Sequence, residues 1–175
     1  MKNKTLWKQV GAAAIAAAMV MSTVPATPVQ AAGGKTLAVS SQKQLNQALK
    51  TVKGKNAVIT VKAGKNVKIT IPKGTYKVTI RVVGKKAAVV NNGTVKEIVV
   101  NSKGTVAIKN NGTIKKVTVQ NAKSVSFSGN HKKAVPVVVN AEDVSMILAA
   151  PAKITAKKDV NICLLYTSDA ADERS

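Results

Sequence analysis

Along the middle of the chain apolar and polar residues alternate at every second position, and the alternation restarts at a fixed interval. Gly74-Thr75-Tyr76-Lys77, Gly93-Thr94-Val95-Lys96 and Gly112-Thr113-Ile114-Lys115 stand 19 residues apart. Period-two alternation predicts strands with one buried face. A repeat near 20 residues, rich in β-branched side chains and glycine, predicts a solenoid in which the apolar face of each coil is covered only by its neighbours. Shifting the sequence by 19 residues sets Ile98 over Val117, Val100 over Val119 and Val138, Val106 over Val125 and Val144, and Ile108 over Phe127 and Met146. Ala107, Ser126 and Ser145 fall between these rows, so each coil is expected to carry at least two strands with small or polar residues outward. Upstream, Ala57, Ile59 and Val61, then Val67, Ile69 and Ile71, form the inward sets of two earlier strands.

Asparagine keeps the same interval: Asn91 with Asn110, then Asn92, Asn111 and Asn130, and Asn121 with Asn140 after Ser102. With Gly74, Gly93 and Gly112, the residues Asn92, Asn111 and Asn130 are expected to build the corner turns. Asparagine tolerates left-handed backbone, and stacked amides can bond from coil to coil. Beyond Asn130 the register loosens. Pro136 falls over Val117, and because proline donates no ladder bond the strand there is expected to begin or bulge. Left-handed solenoids of hexapeptide turns would run at about 18 residues per coil without drift; a 19-residue coil with slippage favours the right-handed form.

Ahead of the coils the pattern changes to a helical one. Leu45, Ala48, Leu49 and Val52 recur at i, i+3, i+4 and i+7, predicting a short helix over about 41–51 with one apolar stripe. Ser41 and Gln44 have the spacing of a capping box, and Gly54 ends the segment. So short a helix is marginal alone, so its stripe is expected to cover the open end of the strand stack within a cap spanning 32–55.

The run Leu45, Ala48-Leu49, a glycine-bearing turn, the strand Ile69 to Ile71 and Gly74-Thr75-Tyr76 resembles the N-terminal entry of the right-handed parallel β-helices of the pectin-lyase-like superfamily. The motif covers 37–76 and continues as a coil pattern to about 162. The resemblance implies an all-β fold, a right-handed parallel β-helix over 56–162 behind the cap. It implies little about activity, since the superfamily includes lyases, hydrolases, adhesins and passenger domains.

Both ends read differently. Residues 1–31 have a basic start (Lys2, Lys4, Lys8), an alanine-rich apolar run from Val10 to Val24 and a small-residue exit at Val29-Gln30-Ala31, the layout of a secretory signal peptide. The run is short for a transmembrane helix and is followed by Pro25 and Pro28, so no membrane span is expected after cleavage. At the other end, 163–175 carries neither repeat nor alternation, and Cys163 to Glu173 resembles a translated transposase-type sequencing adapter. The expectation is a secreted or cell-surface protein whose coils run on beyond Ile162. Cut there, the stack would expose a bare strand edge prone to self-association. Oligomeric state is left open.

Composition then narrows the chemistry. Setting aside Lys2, Lys4, Lys8 and Arg174 leaves 24 of the 28 basic residues, and setting aside Asp169, Asp172 and Glu173 leaves 4 of the 7 acidic ones, a balance of +20. Such a charge attracts polyanions in a salt-dependent way, although lysines spread over every coil also solvate outward faces and discourage edge pairing. Lys77, Lys96, Lys115 and Lys116 are expected to form a lengthwise row on the strand and turn faces, with an anionic polysaccharide or cell-wall polymer as partner and no specific nucleic acid.

Catalytic groups are scarce, and no catalytic residue, cofactor or metal site is predicted. Glu142 and Asp143 are adjacent and, if extended, point to opposite faces. Asp143 and Asp159 fall short of the oxygens calcium takes. His131 stands beside Asn130, Lys132 and Lys133 and is expected as an exposed turn residue. Tyr76 and Phe127 occupy inward ladder positions, which argues against an aromatic-lined carbohydrate groove. Two readings follow: a secreted β-helical scaffold or adhesin with a lysine-rich face, or the N-terminal part of a polysaccharide lyase or glycoside hydrolase whose active site lies on later coils.

Overall fold

The computed structural model of the protein describes residues 35–64 and 66–164. The expected leader, 1–31, and residues 165–175 of the expected tail lie outside that range. In chain order the elements are β1 (Lys35–Val39), α1 (Gln42–Thr51), β2 (Ala57–Ala63), β3 (Val67–Ile71), β4 (Thr75–Asn91) and β5 (Thr94–Asn110). Next come β6 (Thr113–Asn121), β7 (Ser124–Ser128), β8 (Val135–Val139), β9 (Val144–Ala149), β10 (Ala152–Ala156) and β11 (Val160–Leu164), which runs two residues past Ile162.

Every strand pairing is parallel, and the chain winds through about seven turns of a β-solenoid. One wall runs β1-β2-β4-β5-β6-β8-β10; β3, β7, β9 and β11 join the second halves of β4 and β5 in the other. The long strands β4 and β5 serve both walls and change register between Gly84 and Lys86.

Inward residues form continuous ladders. On one wall Ile59, Ile80, Ile98, Val117 and Val137 lie in register. On the other the ladder is Ile69, Val89, Ile108, Phe127 and Leu148. All ten are 4% exposed or less. Burying such a side chain contributes about 1.5–3 kcal/mol, and since its neighbours are the residues above and below, no coil acquires this term alone.

The helix begins at Gln42, with Ser41 Oγ accepting from the Gln44 amide at 3.3 Å. The capping box closes one residue early: Gln44 Oε1 accepts from the Ser40 amide at 2.8 Å instead of from Ser41. Leu45, Ala48, Leu49 and Val52 are buried, and α1 packs against β1 and β3. Its first residue covers part of the open edge of β3: Gln42 Oε1 accepts from the Thr70 amide at 2.6 Å and Nε2 donates to the Thr70 carbonyl at 2.8 Å. One side-chain amide thus replaces a strand neighbour, which blunts the edge as expected of the cap.

Past Asn130 the 19-residue alignment is corrected. Val119 pairs with Val139 and not Val138, Val125 with Met146 and not Val144, and Phe127 with Leu148 and not Met146. Two corners lengthen: 129–134 separate β7 from β8 where two residues separate β5 from β6, and 140–143 separate β8 from β9 where two separate β6 from β7, so the offset advances to 20 at β8 and 21 at β9. Pro136 accordingly pairs with Lys153, second in a strand that begins at Val135, and is exposed.

Candidate functional site

The repeated Gly-Thr-x-Lys resolves into four roles at one corner of each coil. Thr75, Thr94 and Thr113 lie in one register column and Tyr76, Val95 and Ile114 in the next. Val95 and Ile114 are buried, so the threonines and the lysines two places on point outward. Glycine is required by close approach: a β-carbon on Gly93 would stand 2.5 Å from the Pro72 carbonyl oxygen and 2.7 Å from that of Gly74, and one on Gly112 would overlap the Gly93 carbonyl.

Asparagine serves the same corner, though not through left-handed backbone. Asp143 is the non-glycine residue with positive φ among the described residues, at 52°. Asn91 and Asn110 are completely buried, and Asn91 Nδ2 donates to Asn110 Oδ1 at 2.8 Å and to the Gly93 carbonyl at 2.9 Å. Asn92 and Asn111 repeat the amide contact on the outside at 3.0 Å. The inner ladder stops after two members, and Asn110 Nδ2 is left without a partner.

Of the four expected lysines, three form a column. Lys96 and Lys115 face each other between the pairs Val95↔Ile114 and Glu97↔Lys116, while Lys77 and Val78 together oppose Lys96 at a β-bulge. All three lysines are exposed, and none is paired with a carboxylate among the described residues. Lys116 stands in the adjacent column instead, 3.6 Å from Glu97, whose Oε1 also accepts from Thr118 Oγ1 at 2.6 Å. Farther along the chain Lys158 bonds and pairs with Glu142; that hydrogen bond and the positive charge hold the Glu142 carboxyl below the usual glutamate range.

The column ends in a cleft on either side. Two coils apart, Gly74, Thr75 and Tyr76 line a groove of about 540 Å³ beside α1, and Gly112, Thr113 and Ile114 line one of about 310 Å³ under the 129–134 corner. Lys132 and Lys133 line the second cleft.

Two side chains depart from their expected places. His131 is half-buried: its Nδ1 lies 3.2 Å from the Asn110 carbonyl oxygen, its Nε2 2.9 Å from that of Pro151, and its ring meets Phe127 edge to face at 5.2 Å. It ties three coils together at the long corner, with partners about 20 residues away on either side. Phe127 is buried as expected, but Tyr76, at the first rung of its column, is only half-buried and lines the groove beside α1. The three outward threonines went unassigned as contact groups, although the repeat that revealed the lysines carries them too.

The fold and the corner define a lysine-studded parallel β-solenoid with a single short capping helix among the described residues. Searches against protein-family models, curated proteins and solved structures found no match.

Proposed function

We propose that the protein is a secreted or cell-surface scaffold that holds an anionic polymer, an acidic polysaccharide or a wall polymer, along its threonine–lysine corner. The observation that carries this reading is the column Lys77, Lys96 and Lys115, exposed on three successive coils, with Lys77 at a β-bulge, and without carboxylate partners among the described residues. Like charges stacked on adjacent strands, about 4.8 Å apart, work against the sheet by some tenths of a kcal/mol per pair. Folding alone therefore gives no reason to align them, whereas a polyanion with regularly spaced charges neutralises the column and releases counterions. The outward threonine hydroxyls stand beside each lysine and can donate to the same anionic oxygens. Kinship with the pectin-lyase-like β-helices belongs to the same reading and rests on the 37–76 motif.

The test is affinity electrophoresis of the full chain through polygalacturonate or teichoic acid over about 0.05–0.5 M salt. Retardation should fall steeply with salt and be largely lost in the Lys77→Ala/Lys96→Ala/Lys115→Ala variant. Absent or salt-independent binding would reduce the column to a solvated face.

A further inference from the structure

From the groove at the head of the column we infer a saccharide subsite, one that selects an acidic glycan built of pyranose rings over a phosphate polymer; this rests on the polyanion reading above. The groove lies between α1 and the first Gly-Thr corner, and Asn46, Leu49, Lys50, Lys53, Lys73 and Tyr76 supply its side chains. Its volume of about 540 Å³ is within the range of small-molecule sites.

The tyrosine is what sets this groove apart from the rest of the corner. Val95 and Ile114 fill the same register position in the next two coils and are buried, so an aliphatic residue satisfies the core there. At the first of the three Gly-Thr corners no equivalent corner precedes the ring; residues of α1 lie across the groove from it instead, and the ring is left half-open. It is held from below: a β-carbon on Gly74 would come within 2.8 Å of the hydroxyl and 3.0 Å of Cζ, and one on Gly93 within 3.2 Å of Cε2. The hydroxyl donates to the Lys73 carbonyl at 3.3 Å. A ring seated on two glycines and tied at its tip is a fixed apolar platform, the surface on which flat groups stack.

Electrostatics supply the second half of the specificity. The C-terminal turn of α1 brings about half a negative charge to the groove, but Lys50, Lys53 and Lys73 bring three positive ones, and no lining residue is acidic. The surplus is cationic. A uronate residue offers both complements, a C–H face for the tyrosine and a carboxylate for the lysines. A polyphosphate chain offers only charge.

The experiment compares affinity of the full chain for polygalacturonate and for polyphosphate at one ionic strength, with Tyr76→Ala, Tyr76→Phe and Lys50→Glu/Lys53→Glu, at two exposed lysines in the last turn of α1 and just beyond it. Tyr76→Ala should weaken polygalacturonate binding about fivefold to tenfold, the scale of one aromatic contact, and leave polyphosphate binding unchanged; Tyr76→Phe should retain both. The inference is overturned if a folded Tyr76→Ala protein binds both polymers like the wild type or loses both equally. Should Tyr76→Ala fail to fold, Lys50→Glu/Lys53→Glu decides: reduced polygalacturonate affinity supports the groove, and unchanged affinity overturns it. A wild-type chain that binds neither polymer removes the column reading itself, whereas one that binds both with no dependence on Tyr76 or on Lys50 and Lys53 removes only the subsite.

Discussion

Asn91 and Asn110 occupy equivalent rungs of one inner column, are equally buried, and differ in how well they are bonded. Replacing either with alanine removes the same atoms from a fully buried site, so the packing loss nearly cancels between the variants. The hydrogen-bond loss does not. Asn91 donates to the Gly93 carbonyl, Asn110 Oδ1 and, at 3.3 Å, the Thr113 carbonyl, and accepts from the Gly93 amide at 3.2 Å. Asn110 accepts from Asn91 and, at 3.3 Å, from the Gly112 amide, while its own Nδ2 is buried without a partner. Nδ2 carries two hydrogens, so Asn91 makes about three full bonds; at about 1 kcal/mol each, Asn91→Ala should cost about 3 kcal/mol, whereas Asn110→Ala loses two bonds and relieves an unpaired donor, for about 1 kcal/mol. The difference of about 2 kcal/mol corresponds to about 1 M in the urea midpoint at an ordinary slope. Circular dichroism of urea-titrated full chain reads it directly, and the double variant should fall short of the sum because the two residues share a bond. An Asn110→Ala midpoint at or below that of Asn91→Ala would sink the reasoning.

Three further outcomes are expected. Gly93→Ala forces a β-carbon against the Pro72 and Gly74 carbonyls and should lower stability by about 1–3 kcal/mol, whereas Gly64→Ala, with nothing within 4 Å, should be nearly neutral in the same thermal melts. Gln42→Ala uncovers both edge groups of Thr70 and should cost about 1–2 kcal/mol, with faster hydrogen exchange at the Thr70 amide as the local readout. Because the Lys158 hydrogen bond and charge lower the Glu142 pKa, the pair adds stability above the ordinary carboxyl range that is lost as pH falls through the depressed value. In Lys158→Ala the Glu142 titration, followed by NMR, should return upward to that range, and a midpoint that stays put would show that the pair does not form in solution.

What could be read from the residues alone is whatever repeats or stays local. The coil length, the inward ladders from Ile98 to Phe127, the apolar stripe of α1 and the glycine corners all follow from periodicity, because β5 meets β6 and β7, and the Gly-Thr corners meet one another, at the same 19-residue offset. Capping by Ser41 is equally local. Contacts that depend on an unequal corner were hidden. The six residues between β7 and β8 and the four between β8 and β9 shift the later pairings, and no periodic alignment tells how far an insertion moves a register. The first of these corners draws His131 inward, onto carbonyls about 20 residues away in either direction. Lys116 shows the limit within the regular part: its number places it beside Lys115 and both are exposed, but the strand register sets it opposite Glu97, which takes up its charge. Tyr76 has the inward position its spacing predicts, and yet its exposure is decided by what lies on the far side of it. For Val95 and Ile114 that is another coil; for Tyr76 it is a helix that leaves a groove open, and only the packed structure puts that groove among three lysines.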